Sequence, residues 1–184
     1  MEPAFIGVLG LVLGVILSNS AVRILEALRR RERIQDIRTA LRAEIRCQRH
    51  TLLQFKEAAD RGDIAERFAR PSESGATFTP FVPREAPSFV FDAIVGEIHI
   101  LPIEIIDPVV YYYRQIATLT EFAEDLRSER YLTLEAARKA EMYQDYLAMG
   151  VYALALADEA IEAIEQTSIT RLRPGRPRDW PRGG

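Results

Sequence analysis

Cysteine occurs once in this sequence, at Cys47, and histidine twice, at His50 and His99. A lone thiol cannot close an intramolecular disulfide, so no oxidised framework supports the fold. Two imidazoles exclude histidine-rich metal centres and any di-iron bundle built on two Glu-x-x-His motifs. Cys47 and His50 share a helix face at i, i+3, as metal ligands can, but a structural zinc site takes four ligands. Lysine appears only at Lys56 and Lys139, so nearly all positive charge is arginine, a bias that would be expected of a GC-rich bacterial genome. A Gly-rich phosphate loop, a nucleophile elbow and a Cys-x-x-Cys pair are also missing. With them go the enzyme classes most readable from a sequence. We expect no catalytic residue, no metal and no cofactor.

What is present is arranged unevenly. The formal charge is only -3, yet residues 23–49 hold nine arginines against four acids, while residues 50–170 hold ten basic side chains against 21 acidic ones. The C-terminal stretch is basic again, with Arg171, Arg173, Arg176, Arg178 and Arg182 against Asp179. Basic ends flank an acidic middle.

Residues 3–22 carry no charge at all, and residues 5–17 are an unbroken run of Phe, Ile, Val, Leu and Gly. A helix of about 20 residues at about 1.5 Å per residue covers about 30 Å, the hydrocarbon thickness of a bilayer. The run is apolar on every side, unlike a soluble core helix, which keeps a polar face. It reads as a transmembrane anchor over residues 1–22. Arg23, Arg29, Arg30, Arg31 and Arg33 follow it and only Glu2 precedes it. Arginine is retained on the cytoplasmic side, so the N-terminus is expected outside the inner (plasma) membrane and the remainder in the cytoplasm. The alternative is a cleaved signal peptide, because Ser18 and Ser20 stand at -3 and -1 of a cut before Ala21. Against it, the positive n-region is missing. Gly10, Gly14 and Ser18 form a small-xxx-small pattern through which two membrane helices can approach, so a homodimer is open.

Beyond the anchor the periodicity is helical. No Pro or Gly interrupts residues 23–61, and Ile34, Leu41, Ile45, Leu52, Phe55 and Ala59 recur at spacings of seven, four and three. Arg38 and Gln48 dilute the seam, so this juxtamembrane helix is expected to dock on its own domain and not to form a long coiled coil. Residues 62–88 hold Gly62, Pro71, Gly75, Pro80, Pro83 and Pro87 and read as a loop, with a helical turn at residues 64–68. Ser88 is a candidate N-cap for a helix through Phe89, Phe91, Ile94, Val95 and Ile98, stopping near His99 before Pro102. A third helix is expected from Ile103 to about Ser128; Pro108 raises the option that Asp107 is its N-cap. Thr133 is the expected cap of a last helix over residues 134–166, narrow where Ala148, Gly150, Ala153, Ala155 and Ala157 fall. The short link at residues 129–133 makes these two helices an antiparallel hairpin. Residues 167–184 form a basic tail expected to be disordered. Its arginines and Trp180 suit anionic lipid better than nucleic acid when an anchor is nearby.

Other clusters have plain explanations. Glu121, Glu124 and Asp125, and Asp158, Glu159, Glu162 and Glu165, are expected to be solvated faces. Tyr111, Tyr112 and Tyr113 point three ways on a helix, so at least one is expected to be buried and one exposed.

Phe89, Asp92, Ala93, Ile98, Leu101, Pro102, Ile105 and the run from Val109 to Tyr113 resemble a pattern in uncharacterised small membrane-anchored helical proteins of alphaproteobacteria. There an F-x-A helix passes through an I-x-x-L-P turn into a helix ending in Val and Tyr. His99 and Ile100 stand where Gly-Leu is usual. The resemblance implies a helical accessory domain and transfers no activity.

The expectation is an all-α chain: one transmembrane helix, then a bundle of three or four helices over residues 23–61 and 89–166. Its role would be that of a scaffold or interaction protein at the membrane, with the lipid bilayer and a protein as partners. The rivals are a self-associating structural membrane protein and a small enzyme or ligand-binding domain.

Overall fold

The computed structural model describes the backbone of residues 2–61, 64–69, 82 and 88–170, and the side chains of these residues from Val22 to Gln166. Every element among the described residues is helical. In order they are α1 (Glu2–Asp60), α2 (Ile64–Ala69), α3 (Phe89–Ile94), a 3-10 turn (Val95–Ile100), α4 (Ile103–Arg127), α5 (Glu129–Leu132) and α6 (Ala136–Thr170). The chain divides into two compact units, residues 1–40 and residues 41–184.

The first unit is the front of α1. Residues 22–33 are exposed on every side, including the large apolar residues Val22, Ile24, Leu25 and Leu28. Ile34 and Ile37 are buried. Among the residues whose side chains are described, no helix is long and apolar enough to cross a membrane. The uncharged run at residues 5–17, and with it Gly10, Gly14 and Ser18, lies outside them. So do the Pro-rich stretch at residues 71–81, its continuation at 83–87, and the tail at 171–184.

In the second unit three long helical segments pack on one another: the rest of α1, α4 and α6. Their register is fixed by side chains that meet in pairs. Glu44 and Gln48 of α1 meet Tyr113 and Tyr112 of α4, and Phe55 of α1 meets Tyr146 of α6, which in turn lies against Phe122 of α4. Ascending numbers on α1 therefore meet ascending numbers on α4 and descending numbers on α6. Gln115 Nε2 donating to the Met149 carbonyl at 3.2 Å gives the same antiparallel sense to α4 and α6. The expected hairpin is present.

The core follows the expected periodicity on α1 except at Ala59, while on α4 Val110 and Ala117, which lie on the same stripe as Val109 and Ile116, are exposed. Leu41, Ile45, Leu52 and Phe55 are buried on α1, as are Ile105, Val109, Ile116 and Leu119 on α4 and Leu147, Leu154 and Ile164 on α6. Fully burying one such side chain contributes about 1.5–3 kcal/mol, so these stripes outweigh any single polar contact. Ala59 differs from expectation. It is exposed, one residue before α1 ends at Asp60. On α6, Ala153, Ala157 and Ala160 are fully buried and let its neighbours approach, whereas Ala148 and Ala155 face outward. At Gly150 the approach is closest: a Cβ built there would lie 2.1 Å from Cδ1 of Phe55. Aromatic rings then run on from this point, with Tyr143 6.2 Å from Tyr146 and Phe68 of α2 6.0 Å from Tyr143.

α4 starts at Ile103, as expected, with Pro102 before it, so Pro108 is its sixth residue and the alternative start at Asp107 is not used. Backbone bonds from Ile105 and Ile106 to the Pro102 carbonyl have already closed the first turn, and the proline merely omits one later N–H. Thr133 ends α5, not begins α6: its hydroxyl and its N–H both donate to the Arg130 carbonyl, and α6 starts at Ala136. The short link holds the single-turn α5, capped by Ser128, whose Oγ accepts from the Tyr131 N–H at 3.2 Å. Finally, the single helix expected through His99 is an α-helical turn followed by a 3-10 turn. His99 is exposed at its end, with Nδ1 3.1 Å from the Gly96 carbonyl oxygen.

Candidate functional site

The densest polar arrangement among the described side chains centres on Glu44. Its carboxylate accepts from the backbone N–H of Val90 at 2.8 Å and of Phe91 at 3.2 Å, and from the Tyr113 hydroxyl at 2.5 Å. One turn later Gln48 Oε1 accepts from the Tyr112 hydroxyl at 2.7 Å, and its Nε2 donates to Ser88 Oγ at 3.4 Å. The spacing of four on α1 puts both side chains on one face, and adjacent tyrosines on α4 receive them. Phe91 completes the arrangement by stacking on Tyr113, with centroids 4.0 Å apart and planes 13° apart.

This geometry corrects the expected cap of α3. Ser88 stands at the N-cap position but makes no side-chain cap bond. The first-turn N–H groups of a helix lack internal partners, and here a carboxylate from another helix takes two of them. A negative charge at a helix N-terminus is favourable, and hydrogen bonds to a charged acceptor are the stronger kind. Gln48, which dilutes the apolar seam in sequence, is therefore a cross-link between α1, α3 and α4. Tyr112 and Tyr113 are buried and Tyr111 is exposed, as three successive residues on one helix require. Burial raises the Tyr113 pKa above its ordinary value, and the Glu44 carboxylate raises it further because a phenolate there would face a negative charge.

The acidic face of α6 also differs from expectation. Arg46 Nη2 lies 2.6 Å from Glu165 Oε1, Arg42 Nη1 3.9 Å from the same oxygen, and Arg49 Nε 2.5 Å from Asp158 Oδ1. The bond from Arg49 to Asp158 raises the arginine pKa, with their charge attraction adding to it. The basic stretch of α1 and the acidic stretch of α6, separate features in the sequence, are thus two sides of one seam. Glu159 and Glu162 remain on the outer side, where Glu162 accepts from Gln166.

The other candidates stay apart. Cys47 and His50 are exposed on α1, and among the described residues no three His, Cys, Asp or Glu side chains group as metal ligands would. Arg23, Arg29, Arg30, Arg31 and Arg33 lie along the exposed front of α1. An open groove of about 230 Å³ sits at the α4–α5–α6 turn, lined by Asp125, Ser128, Arg130, Tyr131, Arg138 and Met142 among others. It falls short of the roughly 300–1,000 Å³ of a small-molecule site. Two of its polar side chains are engaged: Ser128 Oγ donates to the Asp125 carbonyl and Arg138 pairs with Glu141. No protein-family model, no curated protein and no solved structure matches this chain.

Proposed function

We propose that the chain is a single-pass membrane protein whose N-terminal helix holds a helical scaffold, or interaction module, on the cytoplasmic face of the inner membrane. The observation that carries this reading is the continuity of α1. One helix runs from Glu2 to Asp60: its first part bears the uncharged run at residues 5–17, its middle is exposed to solvent and rich in arginine, and its last part is core. A side chain exposed all round a helix is expected where that helix crosses from bilayer to domain, and residues 22–33 have that character. The arginines there set the direction, N-terminus outside.

The scaffold half of the reading rests on what the polar interior does. Glu44, Gln48, Tyr112 and Tyr113 hold α1, α3 and α4 together, and the arginines of α1 hold α6. Polar groups engaged in this way fix a rigid surface; the reading assigns them no reaction. The resemblance of residues 89–113 to small membrane-anchored helical proteins points the same way, to an accessory domain that meets a protein partner. Deleting residues 2–22 tests the anchor. The full chain should stay in the membrane pellet after alkaline carbonate, and the shortened chain should be released still folded. A full chain found in the carbonate supernatant contradicts it. Proximity labelling in native membranes then names the partner.

A further inference from the structure

The arginines of α1 divide into two sets. Arg42, Arg46 and Arg49 are paired with Glu165 and Asp158 of α6. Arg23, Arg29, Arg30 and Arg31 are exposed and form no ion pair among the described residues. Acids are within reach, since Glu26 and Glu32 lie three residues from Arg29 on either side, yet residues 23–33 keep a surplus, five arginines against these two. At about 100° per residue, Arg29, Arg30 and Arg31 spread about 200° round the helix within a single turn. A protein docked on α1 would meet charge on one side. Charge spread round the helix at one depth fits a layer that surrounds it.

We propose that Arg29, Arg30 and Arg31 bind anionic phospholipid headgroups of the cytoplasmic leaflet. The proposal rests on the anchor reading, which sets both depth and direction. With the hydrocarbon ending near Val22, the α-carbons of the three arginines stand about 10–14 Å beyond it at about 1.5 Å per residue, and the headgroup layer is about 5–8 Å deep. Helical side chains tilt toward the N-terminus of their own helix, which here is toward the membrane, and the arginine stem carries the guanidinium back into the layer. Each basic side chain close to an anionic leaflet is drawn to it. Zwitterionic headgroups offer the same phosphate without the net charge, so a surplus of arginine selects anionic lipid. Glu26 lies at headgroup depth and offsets Arg23, which leaves the selection to Arg29, Arg30 and Arg31.

The test reconstitutes the purified full chain into vesicles of phosphatidylcholine, with and without an equal share of phosphatidylglycerol, and counts the lipids that stay bound in native mass spectrometry. From mixed vesicles the chain should keep phosphatidylglycerol over phosphatidylcholine by at least about fivefold, what one arginine near a charged surface supplies. Arg29→Gln, Arg30→Gln and Arg31→Gln together should bring the two lipids to parity. Lysine at the same three positions should leave the preference in place, as should Arg173→Gln, Arg176→Gln and Arg178→Gln in the tail. Parity in the native chain, a preference that survives the glutamine triple, or one lost with lysine or with the tail arginines overturns the proposal. The anchor is read separately, by carbonate extraction of the phosphatidylcholine vesicles. A chain that stays in the pellet leaves the anchor standing whatever the lipid counts show; a chain stripped from them overturns the anchor, and the headgroup site with it.

Discussion

Gly150 of α6 meets the ring of Phe55 on α1 so closely that a Cβ at 150 would lie 2.1 Å from Cδ1 and 2.4 Å from Cγ. The obstructing atoms are the base and side of a ring that also lies 5.0 Å from Tyr146, so the ring has little room to turn away. Two effects compete in Gly150→Ala. Alanine favours the helix by about 1 kcal/mol over glycine, and overpacking a closed core costs about 1–3 kcal/mol. The contact is far inside any tolerable distance, so overpacking wins. Urea unfolding should show Gly150→Ala less stable by about 1–2 kcal/mol, and Phe55→Leu should recover part of the loss in the double variant.

The Glu44 cross-link predicts a different pattern. Glu44→Ala removes an acceptor shared by two backbone N–H groups and a phenol, and a lost bond to a charged group costs about 1.5–3 kcal/mol. The loss should sit in α3 as much as in the whole: amide exchange at Val90 and Phe91 should rise more than at Val109. Tyr113→Phe removes a single bond and should cost about half as much. Equal, small losses for both would mean that the carboxylate does not hold α3.

Alkaline pH gives a third test. Tyr113 is raised well above the usual phenol pKa, burial first and the Glu44 charge next, and Tyr131 is pushed up to about 12 by burial and by Tyr143. A folded-state pKa above the unfolded value near 10 means the native state keeps a proton that the unfolded state has lost. That contribution is fully present below about pH 10 and is lost as pH rises through the folded pKa, so stability should fall steeply from about pH 10 toward pH 12. Phenolate absorbance at 295 nm should lag in the native protein and jump on unfolding. Tyr113→Phe should flatten the slope; an unchanged slope would contradict the assignment.

The arginine seam should be worth little. Arg49 and Asp158 are both partly exposed, and exposed pairs contribute about 0.2–1 kcal/mol before salt screens them. A double-mutant cycle on Arg49 and Asp158 should give a coupling in that range at low salt and almost none at about 1 M salt, where the screening length is about 3 Å. Swapping signs with Arg46→Glu and Glu165→Arg together should restore most of what either change alone removes.

The first helix was legible because its core is periodic, with Leu41, Ile45, Leu52 and Phe55 on one seam; α4 was legible as an element, but Val110 and Ala117, on the same stripe as Val109 and Ile116, are exposed. The hairpin of α4 and α6 followed from a short link. Long-range polar pairing was not legible. Nothing local to Glu44 marks it as the cap of a helix 46 residues away, and Gln48 reads as a flaw in a stripe until Tyr112 is placed beside it. Asp158 and Glu165 read as solvated because the spacing of a charged face is the same whether it meets water or arginine. What the sequence did hold was the complement, a basic α1 and an acidic α6, which only packing joins. Ends were least legible where two caps compete, as at Thr133, whose hydroxyl serves α5 and not α6.

The most direct test of the membrane reading uses the lone native thiol. Cys47 is exposed on α1, so its labelling reports which side of the membrane the bundle occupies. In intact spheroplasts a membrane-impermeant maleimide should leave Cys47 unmodified, and permeabilisation should make it react fully while the protein stays in the carbonate pellet. Labelling of Cys47 from outside, or a mature chain that begins at Ala21 and washes free, would contradict the anchor and its direction.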